Sequence, residues 1–423
     1  MTLALPGQTA LAQSDRGRAW FGASANKALG LIVGIWIFSG GFVIVEPSPY
    51  EVMFLLAFAV ALAGGLQLRR ETLPLLVVII MFTPFALISP FFMRYQDITD
   101  GLIFNLVTIF LMVTSYFAAN FVAQAPLAHM RLIAKAYIGI ALITSVVGTL
   151  AYMGLLPGED VFLRFGRAKA FFKDPNVYGP FLILPAMFVL QRVLLSTNRR
   201  TAILNGLAYL IIFVGVFVSF SRGAWGHLAA SSLLIYALVF ILEASAREKV
   251  RLLLLAVGGL MVLAFAMSVL LSIPVVADLF TQRFSLTQSY DTGELGRFGR
   301  IWYTLDLALT NPWGIGPLEY GYLRITEQPH NTYLNIALTY GWGGAIAYYL
   351  LVGSTLVAGS KALAGATYRP LLIPVFATFV PMIALSGIID TDHWRHWFLV
   401  TGLVWGICAA SSTGKAVPGR QLP

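Results

Sequence analysis

The chain has 423 residues, of which 58% are hydrophobic and only 11% are charged. Soluble proteins carry charge on roughly a quarter of their positions, so this composition excludes a water-soluble globule. The high apolar fraction also excludes a disordered or collagen-like chain, and a single cysteine, Cys408, excludes an intramolecular disulfide. We therefore predict a polytopic membrane protein.

Apolar stretches follow one another along almost the whole chain. A helix needs roughly 20 residues to cross a hydrocarbon core of about 30 Å, and twelve stretches reach or approach that length. We place the spans at 28–46, 49–67, 73–92, 101–122, 132–155, 177–195, 202–220, 223–242, 250–272, 331–356, 369–389 and 394–411. The junction Phe220–Gly223 is so short that the seventh and eighth spans could also be one broken helix.

This pattern predicts an all-α membrane protein of about twelve transmembrane helices. Residues 1–27 lack a basic start followed by an apolar block, so we expect a cytoplasmic segment and no cleaved signal peptide. Helices 1–9 occupy 28–272, a long and partly helical periplasmic loop occupies 273–330, and helices 10–12 occupy 331–411. Residues 412–423 form a cytoplasmic tail.

The formal charge of +9 reflects the predicted topology. With the N-terminus inside, most of the 28 basic residues fall in cytoplasmic segments and most of the acids fall outside, as the positive-inside rule requires. The excess of cations therefore faces membrane lipid, and we expect no nucleic acid partner.

The segment 273–330 is far longer than the usual connection of 2–8 residues between helices. It contains Gly296-Arg297-Phe298-Gly299-Arg300-Ile301-Trp302, a helical pattern through Leu309, and the turn Asn311-Pro312-Trp313-Gly314-Ile315-Gly316-Pro317. It ends at Pro329-His330-Asn331-Thr332-Tyr333. Long loops of this kind are usually functional.

Two further outer features carry positive charge. The loop 157–176 contains Arg164, Arg167, Lys169 and Lys173. Arg222 stands between two apolar helices, where an unpaired guanidinium costs about 2.5–3.5 kcal/mol. Such a residue calls for an anion, and the start of the following helix presents N–H groups toward the same place.

These motifs together resemble the O-antigen ligase and polymerase superfamily. The resemblance rests on Ser-Arg-Gly-Ala-Trp at Ser221–Trp225, the arginines of Gly296–Trp302 and His-Asn-Thr-Tyr-Leu at His330–Leu334. Asp-Pro-Asn at Asp174–Asn176, the Asn-Pro-Trp-Gly-Ile-Gly-Pro turn, the order of the motifs and the number of spans also agree. Each motif is short, and their order and common side make the combination specific.

The resemblance implies a metal-independent glycosyltransferase of the bacterial inner membrane with no cofactor and a periplasmic active site. Its donor would be a glycan on undecaprenyl pyrophosphate, and its acceptor a glycan, lipid A-core or another lipid-linked chain. Carried over by motif, the catalytic residues are His330, Arg222 and Arg297. Arg300 is a second candidate for the loop arginine. Further substrate-binding residues are Arg164, Arg167, Lys173, Asn331 and Tyr333.

The residue types suit that chemistry. Arginine binds phosphate through a planar fork that stays charged, and histidine titrates near neutrality and can act as a general base. Arg222 would therefore hold the pyrophosphate together with Arg297 or Arg300, and His330 would deprotonate the acceptor hydroxyl. Ligase, polymerase and protein O-glycosylating enzymes share this donor chemistry, so the acceptor stays open.

Plainer interpretations stand beside these assignments. Arg222 could snorkel to head groups, and His330 could begin a helix with its ring on its own backbone. Arg297 and Arg300 could pair with acids of the loop, and the basic loop around Arg164 could be a solvated surface. The motif Asp390-Thr391-Asp392-His393-Trp394-Arg395-His396 could ligate a divalent ion, although it fits an interfacial girdle as well.

A transporter is the alternative class. Twelve spans suggest a secondary transporter or polysaccharide flippase by number alone. Such a carrier would place its long connection inside, after the sixth span, whereas the long segment here lies outside after the ninth. Acids in the middle of the spans are also missing from the sequence, so proton coupling has no evident relay.

Overall fold

The computed structural model describes residues 27–64, 66–284, 296–323, 328–365 and 367–412. Over these ranges the chain is almost entirely α-helical, as the sequence predicts. The first eight helices are α1 Lys27–Ser39, α2 Pro49–Gly64, α3 Leu73–Ile88, α4 Ile98–Gln124, α5 Pro126–Tyr152, α6 Glu159–Phe162, α7 Pro175–Phe181 and α8 Ile183–Leu195. The second eight are α9 Arg199–Val218, α10 Arg222–Leu242, α11 Ala246–Leu271, α12 Pro274–Phe284, α13 Arg297–Thr310, α14 Thr332–Ala364, α15 Arg369–Ser386 and α16 Arg395–Ser412.

Among the residues that the structure describes, nine helical segments are long and apolar enough to cross a membrane. They are Arg70–Phe92, Ile98–Gln124, Pro126–Tyr152, Pro175–Leu195, Arg199–Val218, Arg222–Leu242, Ala246–Leu271, Thr332–Ala364 and Arg369–Ser386. The remaining predicted spans coincide with α1, α2 and α16. The chain is thus a multi-pass membrane protein by its helices, and the count of twelve spans stays a prediction.

Helix α16 lies in the interior of the bundle against α4. Its Gly402 and Gly406 are four residues apart, so they share one face of the helix. A Cβ atom on Gly402 would lie 2.3 Å from the Ser115 carbonyl, and one on Gly406 would lie 2.7 Å from that of Ala119. Small residues therefore let the two backbones approach, as is common between helices in membranes.

Helices α9 and α10 form an antiparallel hairpin, so the interpretation as a single broken helix is wrong. The hydroxyl groups of Tyr209 and Ser232, which lie far from the turn along each helix, are 2.9 Å apart. Phe220 adopts a φ of +44°, which ends the helical path, and Ser221 accepts a hydrogen bond from the Ala224 N–H at the start of α10. The turn therefore presents Arg222 as the first residue of α10.

Helix α14 is broken at Gly341, and the predicted turn 311–317 docks into the break. Gly341 has a φ of +70°, and the Trp342 N–H donates to the Pro312 carbonyl at 2.9 Å. The Ile315 N–H donates to the Leu338 carbonyl at 2.7 Å. These bonds satisfy backbone groups that the break removes from the helix, and they fix the turn 311–317 to α14.

At the predicted cytoplasmic end, two arginines hold helix ends together. Arg251 at the start of α11 donates to the carbonyl of Ser196 after α8 at 2.6 Å. Arg369 at the start of α15 pairs with Glu243 after α10, with an N···O distance of 2.6 Å. The predicted outer motifs all lie at the other ends of these helices.

Candidate functional site

The connections that we predict to be outside meet at one end of the bundle. The backbone of Val43, between α1 and α2, donates to the Phe171 carbonyl at 2.9 Å. Tyr95, between α3 and α4, donates its N–H to the Glu319 carboxylate of the long loop at 3.0 Å. The end of α15 contacts α10 through Leu385 and Gly223, and it contacts α14 through Ile383 and Tyr333. The structure therefore gathers the motifs that the sequence separates.

Arg222 begins α10 next to the end of α15. A Cβ atom on the adjacent Gly223 would lie 2.8 Å from Leu385 Cδ1, so the glycine lets this end of α10 pack closely against α15. The first N–H groups of α10 and its dipole favour a negative ligand there. Arg222 itself is half-buried, as expected for a side chain at the rim of a site.

Arg167 holds the position of the turn before Arg222. Residues Leu163–Arg164 and Arg167–Ala168 form a two-stranded antiparallel hairpin, and the buried Arg167 donates to the Ser219 carbonyl and to Asn176 Oδ1, each at 2.8 Å. We therefore assign Arg167 to positioning the α9–α10 turn. The interpretation of this loop as a solvated surface is wrong for Arg167, because its side chain is buried among protein acceptors.

Arg164 and Lys173 of this loop lie nearer the surface than Arg167. Arg164 pairs with Asp174 at 3.1 Å, and Lys173 pairs with Glu46 at 2.8 Å. About half of each basic side chain is exposed, so both pairs can open at little cost. Lys173 lines the cavity described below, whereas Arg164 is not among its lining residues.

His330 pairs with Asp390, which lies in the connection between α15 and α16. Its Nδ1 atom lies 3.2 Å from Asp390 Oδ2, and 38% of the His330 side chain is exposed. The interpretation of His330 as a helix-start residue bonded to its own backbone is wrong, since Asn331 is the residue that caps α14. The geometry suits an imidazole oriented by a carboxylate, which can accept a proton at its other nitrogen.

His330, Asn331 and Thr332 each contact the segment 387–391. Asn331 Nδ2 donates to the Gly387 carbonyl at 2.9 Å, while its Oδ1 accepts from the Leu334 N–H at 3.1 Å. Thr332 donates to the Ile389 carbonyl at 2.9 Å. Both ends of the Asn331 amide are thus used by the protein, and Asn331 acts here as a residue that positions His330.

Tyr333 is also engaged by the protein. Its hydroxyl donates to the Ile383 carbonyl at 2.8 Å, which ties the start of α14 to the last turn of α15. The predicted substrate contact of Tyr333 stays a prediction, and the structure gives the residue a clear positioning role.

The loop arginines begin helix α13. Arg300 is buried, and its Nη1 donates to the carbonyl of Gln328, two residues before His330, at 3.3 Å. Arg297 is the first residue of α13, and its side chain lies outside what the structure describes. The acids Asp291 and Glu294, considered as partners of these arginines, also lie outside the described residues. Arg300 thus connects the loop helix to the histidine segment.

A cavity of about 320 Å³ opens at this end, and Asp390 forms part of its wall. Its lining residues include Glu46, Lys173, Gln328, Asn335, Thr339, Asp392, His393, Trp394 and Arg395. Asp392 is buried and accepts from Asn335 Nδ2 at 3.2 Å, and His393 Nδ1 lies 3.4 Å from its Oδ2. His330 and Arg300 adjoin the cavity through Asp390 and Gln328.

The motif 390–396 therefore belongs to the site, and its interpretation as an interfacial girdle is wrong. Trp394 is only 5% exposed, so it faces protein rather than lipid. Arg395 lies between Glu51, at 2.6 Å, and Glu46, at 3.5 Å. Within the described ranges no group of three or more His, Cys, Asp or Glu residues could hold a metal ion.

The pKa values of Asp390 and His393 are both raised, for different reasons. Burial raises the pKa of Asp390 above its usual value, and the hydrogen bond from His330 offsets this only in part. Burial lowers the pKa of His393, but the hydrogen bond and charge of Asp392 outweigh burial and raise it overall. Asp390 is thus an unusually basic carboxyl, and His393 holds its proton more strongly than an ordinary histidine.

Sequence reasoning did not identify Asp390, Asp392 and Arg395 as site residues. Their motif was visible as a dense run of polar residues between two apolar spans. The sequence does not show that the α15–α16 connection contacts the start of α14, because that contact depends on tertiary packing.

Residues 207–349 match the family model described as O-antigen ligase. This segment runs from within α9 into α14, so it contains Arg222, Arg297, Arg300 and His330. The match confirms the resemblance that the motifs indicate, and this part of the chain is O-antigen ligase-like. A comparison with curated proteins found no match.

Proposed function

We propose that the protein transfers a glycan from an undecaprenyl-pyrophosphate carrier to an acceptor hydroxyl, in the ligation or polymerisation of a surface polysaccharide. The observation that carries this proposal is the His330–Asp390 pair beside a polar cavity at the outer end of the bundle. The family match over residues 207–349 supports the same reaction class.

The proposed reaction is a single displacement at the anomeric carbon. The acceptor oxygen forms the new glycosidic bond, the bond to the carrier pyrophosphate breaks, and His330 takes the proton of the acceptor hydroxyl. Asp390 orients the imidazole through its carboxylate. The leaving group departs as a lipid pyrophosphate that carries the additional negative charge.

Arginine residues balance that charge. Arg222 at the start of α10 is our first candidate, because its guanidinium and the helix N-terminus favour the same anion. Arg297 remains the predicted partner from the loop, with Arg300 as the alternative, and Arg300 also holds the Gln328 carbonyl beside the histidine segment. We expect fixed guanidinium groups to replace a divalent ion here, so transfer should proceed in the presence of a chelator.

We place the site on the periplasmic face of the inner membrane, because the positive-inside rule assigns the opposite helix ends to the cytoplasm. The lipid tail of the donor would then lie against the outward apolar surface of the spans. Helix α11 offers such a surface, since only Leu252 and Leu270 of its side chains are buried inside the protein.

The test is transfer in vitro from a purified lipid-pyrophosphate glycan to a panel of acceptors. We expect a product with lipid A-core or with a second lipid-linked glycan, and the product distinguishes a ligase from a polymerase. Transfer to a protein hydroxyl would indicate an O-glycosylating enzyme. No turnover with any acceptor, combined with solute uptake or lipid translocation in vesicles, would contradict the proposal and favour a carrier.

A further inference from the structure

We propose that helix α13 and the turn 311–317 form a membrane anchor, which lies in the head-group layer beside the candidate site and binds lipid through exposed apolar side chains. The sequence predicts the whole segment 273–330 as a periplasmic loop, so the anchor moves the central part of this segment from water into the membrane surface. It is independent of the proposed reaction, because none of its exposed residues takes part in that reaction.

The exposed half of α13 is divided into an apolar flank and a polar flank. Three residues at intervals of four are buried and face the protein: Arg300, Thr304 and Ala308. Trp302 and Leu309, two turns apart on one flank, are 73% and 59% exposed, and the half-buried Leu305 lies between them. The exposed Asp306 and Thr310 share the other flank. Helices that lie in a membrane surface show this division, because one flank meets lipid and the other meets water.

The apolar surface extends beyond α13. Trp313 in the turn is 60% exposed, and its ring stacks on Phe92 with 6.2 Å between the ring centroids. Phe92 and the neighbouring Phe91, which follow α3, are exposed as well. Phe91, Phe92, Trp302, Leu309 and Trp313 form what we call the anchor surface. Large exposed apolar patches mark contacts with a membrane or with another protein.

The depth of the anchor surface follows from the lengths of three spans. Each of these spans has a basic residue at its predicted cytoplasmic end: Arg70, Lys361 and Arg369. The hydrocarbon core is about 30 Å thick, which corresponds to roughly 20 helical residues. Counted from those basic residues, this length ends within about two residues of Phe92, Trp342 and Gly387. These three residues therefore mark the boundary between hydrocarbon and head groups on the side of the candidate site.

Both ends of α13 are tied to this boundary. Near the end of the helix, the Ala308 carbonyl accepts a hydrogen bond from the Trp342 indole at 2.8 Å. Near its start, Arg300 donates to the Gln328 carbonyl, and Asn331, three residues further on, donates to the boundary residue of α15. With 14 residues α13 is about 21 Å long, too short to cross the core. The helix therefore lies along the membrane surface.

The neighbouring spans indicate that lipid covers the anchor surface. Trp342 is exposed and heads a row of exposed apolar residues on α14 that continues one turn apart with Ile346 and Leu350. On α3, exposed apolar residues lead directly to the stacked ring of Phe92: Leu87, Ile88 and Phe91. Apolar side chains on the outside of spans face hydrocarbon, and tryptophan collects where hydrocarbon meets the head groups. The anchor surface thus continues two lipid-facing rows.

The single cysteine, Cys408, permits a depth measurement on the full-length protein in nanodiscs. In a Cys408→Ala background, Trp302→Cys, Leu309→Cys and Trp313→Cys are each labelled with a nitroxide. EPR power saturation then compares collisions with oxygen, which concentrates in lipid, and with a nickel chelate, which stays in water. We expect oxygen collisions to dominate at all three positions, at a depth of about 5–10 Å below the phosphates.

Two further positions calibrate the measurement. Thr310→Cys, the neighbour of Leu309 on the polar flank, is the matched control, and we expect collisions with the nickel chelate to dominate there. Leu350→Cys, in the exposed row of α14, gives the value for a label immersed in hydrocarbon.

Two outcomes would overturn the anchor. Dominant collisions with the nickel chelate at positions 302, 309 and 313 would place the surface in water, where it would be free to bind a glycan. Low collision rates with both reagents, together with spin–spin broadening, would place a second copy of the chain on the surface. If one labelled variant does not fold, the other two still distinguish these outcomes from insertion into lipid.

Discussion

Nδ1 of His330 lies 3.2 Å from Oδ2 of Asp390, and this contact joins the start of α14 to the connection between α15 and α16. The neighbouring Asn331 and Thr332 bond the same connection through the carbonyls of Gly387 and Ile389. The histidine is therefore held by the backbone around it as well as by its carboxylate partner, and its position depends on two segments that are far apart in the chain.

His330→Ala is expected to lower the transfer rate about 10²–10⁴-fold, the usual contribution of a general base. Asp390→Asn should lower it about tenfold or more, because the imidazole loses its orienting partner. Full activity of His330→Ala would remove the base assignment.

Arg222→Ala is expected to reduce transfer about 10²–10³-fold, as for loss of one group that stabilises transition-state charge. The matched control is Arg94→Ala, which removes an exposed guanidinium from another outer connection and should leave the rate unchanged. Both variants should insert normally, as judged by expression in membranes. Wild-type transfer by Arg222→Ala would show that this arginine only reaches toward head groups.

Arg300→Ala is expected to lower both the melting temperature and the transfer rate. Arg300 is buried and its hydrogen bond to the Gln328 carbonyl holds the segment before His330. If Arg297 is the loop residue that binds pyrophosphate, Arg297→Ala should lower the rate with no change in melting temperature. A fully stable and active Arg300→Ala protein would contradict the positioning role.

Stability should depend on pH through His393. Its pKa is raised by Asp392 against the opposing effects of burial and of the Arg395 charge, so its stabilisation is fully present below the ordinary histidine value of about 6.5. The stabilisation is lost as pH rises through the higher value of the folded state. The melting temperature of His393→Gln should therefore lie furthest below that of wild type at acidic pH. A difference that grows with pH would contradict this sign.

Gly341→Ala is expected to destabilise the protein by more than about 1–2 kcal/mol, because a side chain at positive φ is strained. Its Cβ atom would also lie 2.5 Å from the Pro312 carbonyl. Gly353→Ala, on the same helix, meets no atom within 4 Å and should be neutral or slightly stabilising. Equal melting temperatures of the two variants would show that the docked turn does not hold α14.

The apolar pattern of the sequence was sufficient to predict much of the fold. Apolar length located the helices, although some ends differ by six to eight residues, as at the start of α5, the end of α1 and the end of α14. The sequence 311–317 predicted a sharp turn because it combines proline and glycine. The structure shows that turn with positive φ at Gly314 and Gly316. The hairpin of α9 and α10 was undecided in the sequence, because a junction of so few residues is compatible with a bend or a reversal.

The site was predicted less completely, for a physical reason. Arg222 and His330 belong to motifs that local sequence reveals, whereas Asp390 and Asp392 gain their roles from packing against α14. Arg167 attracted attention through its charge, yet its side chain is buried on the Ser219 carbonyl. Hydropathy and the positive-inside rule predict which side of a membrane a loop occupies, but neither indicates which loops touch.

The docking of 311–317 into the break of α14 has a consequence for engineering. Trp342 also donates its indole N–H to the Ala308 carbonyl at the end of α13, at 2.8 Å. Loop and helix thus complete each other's backbone bonding, and neither is a separable module. A chimera that exchanges the loop between related enzymes should retain its fold only if residues 296–323 and 332–364 come from the same parent.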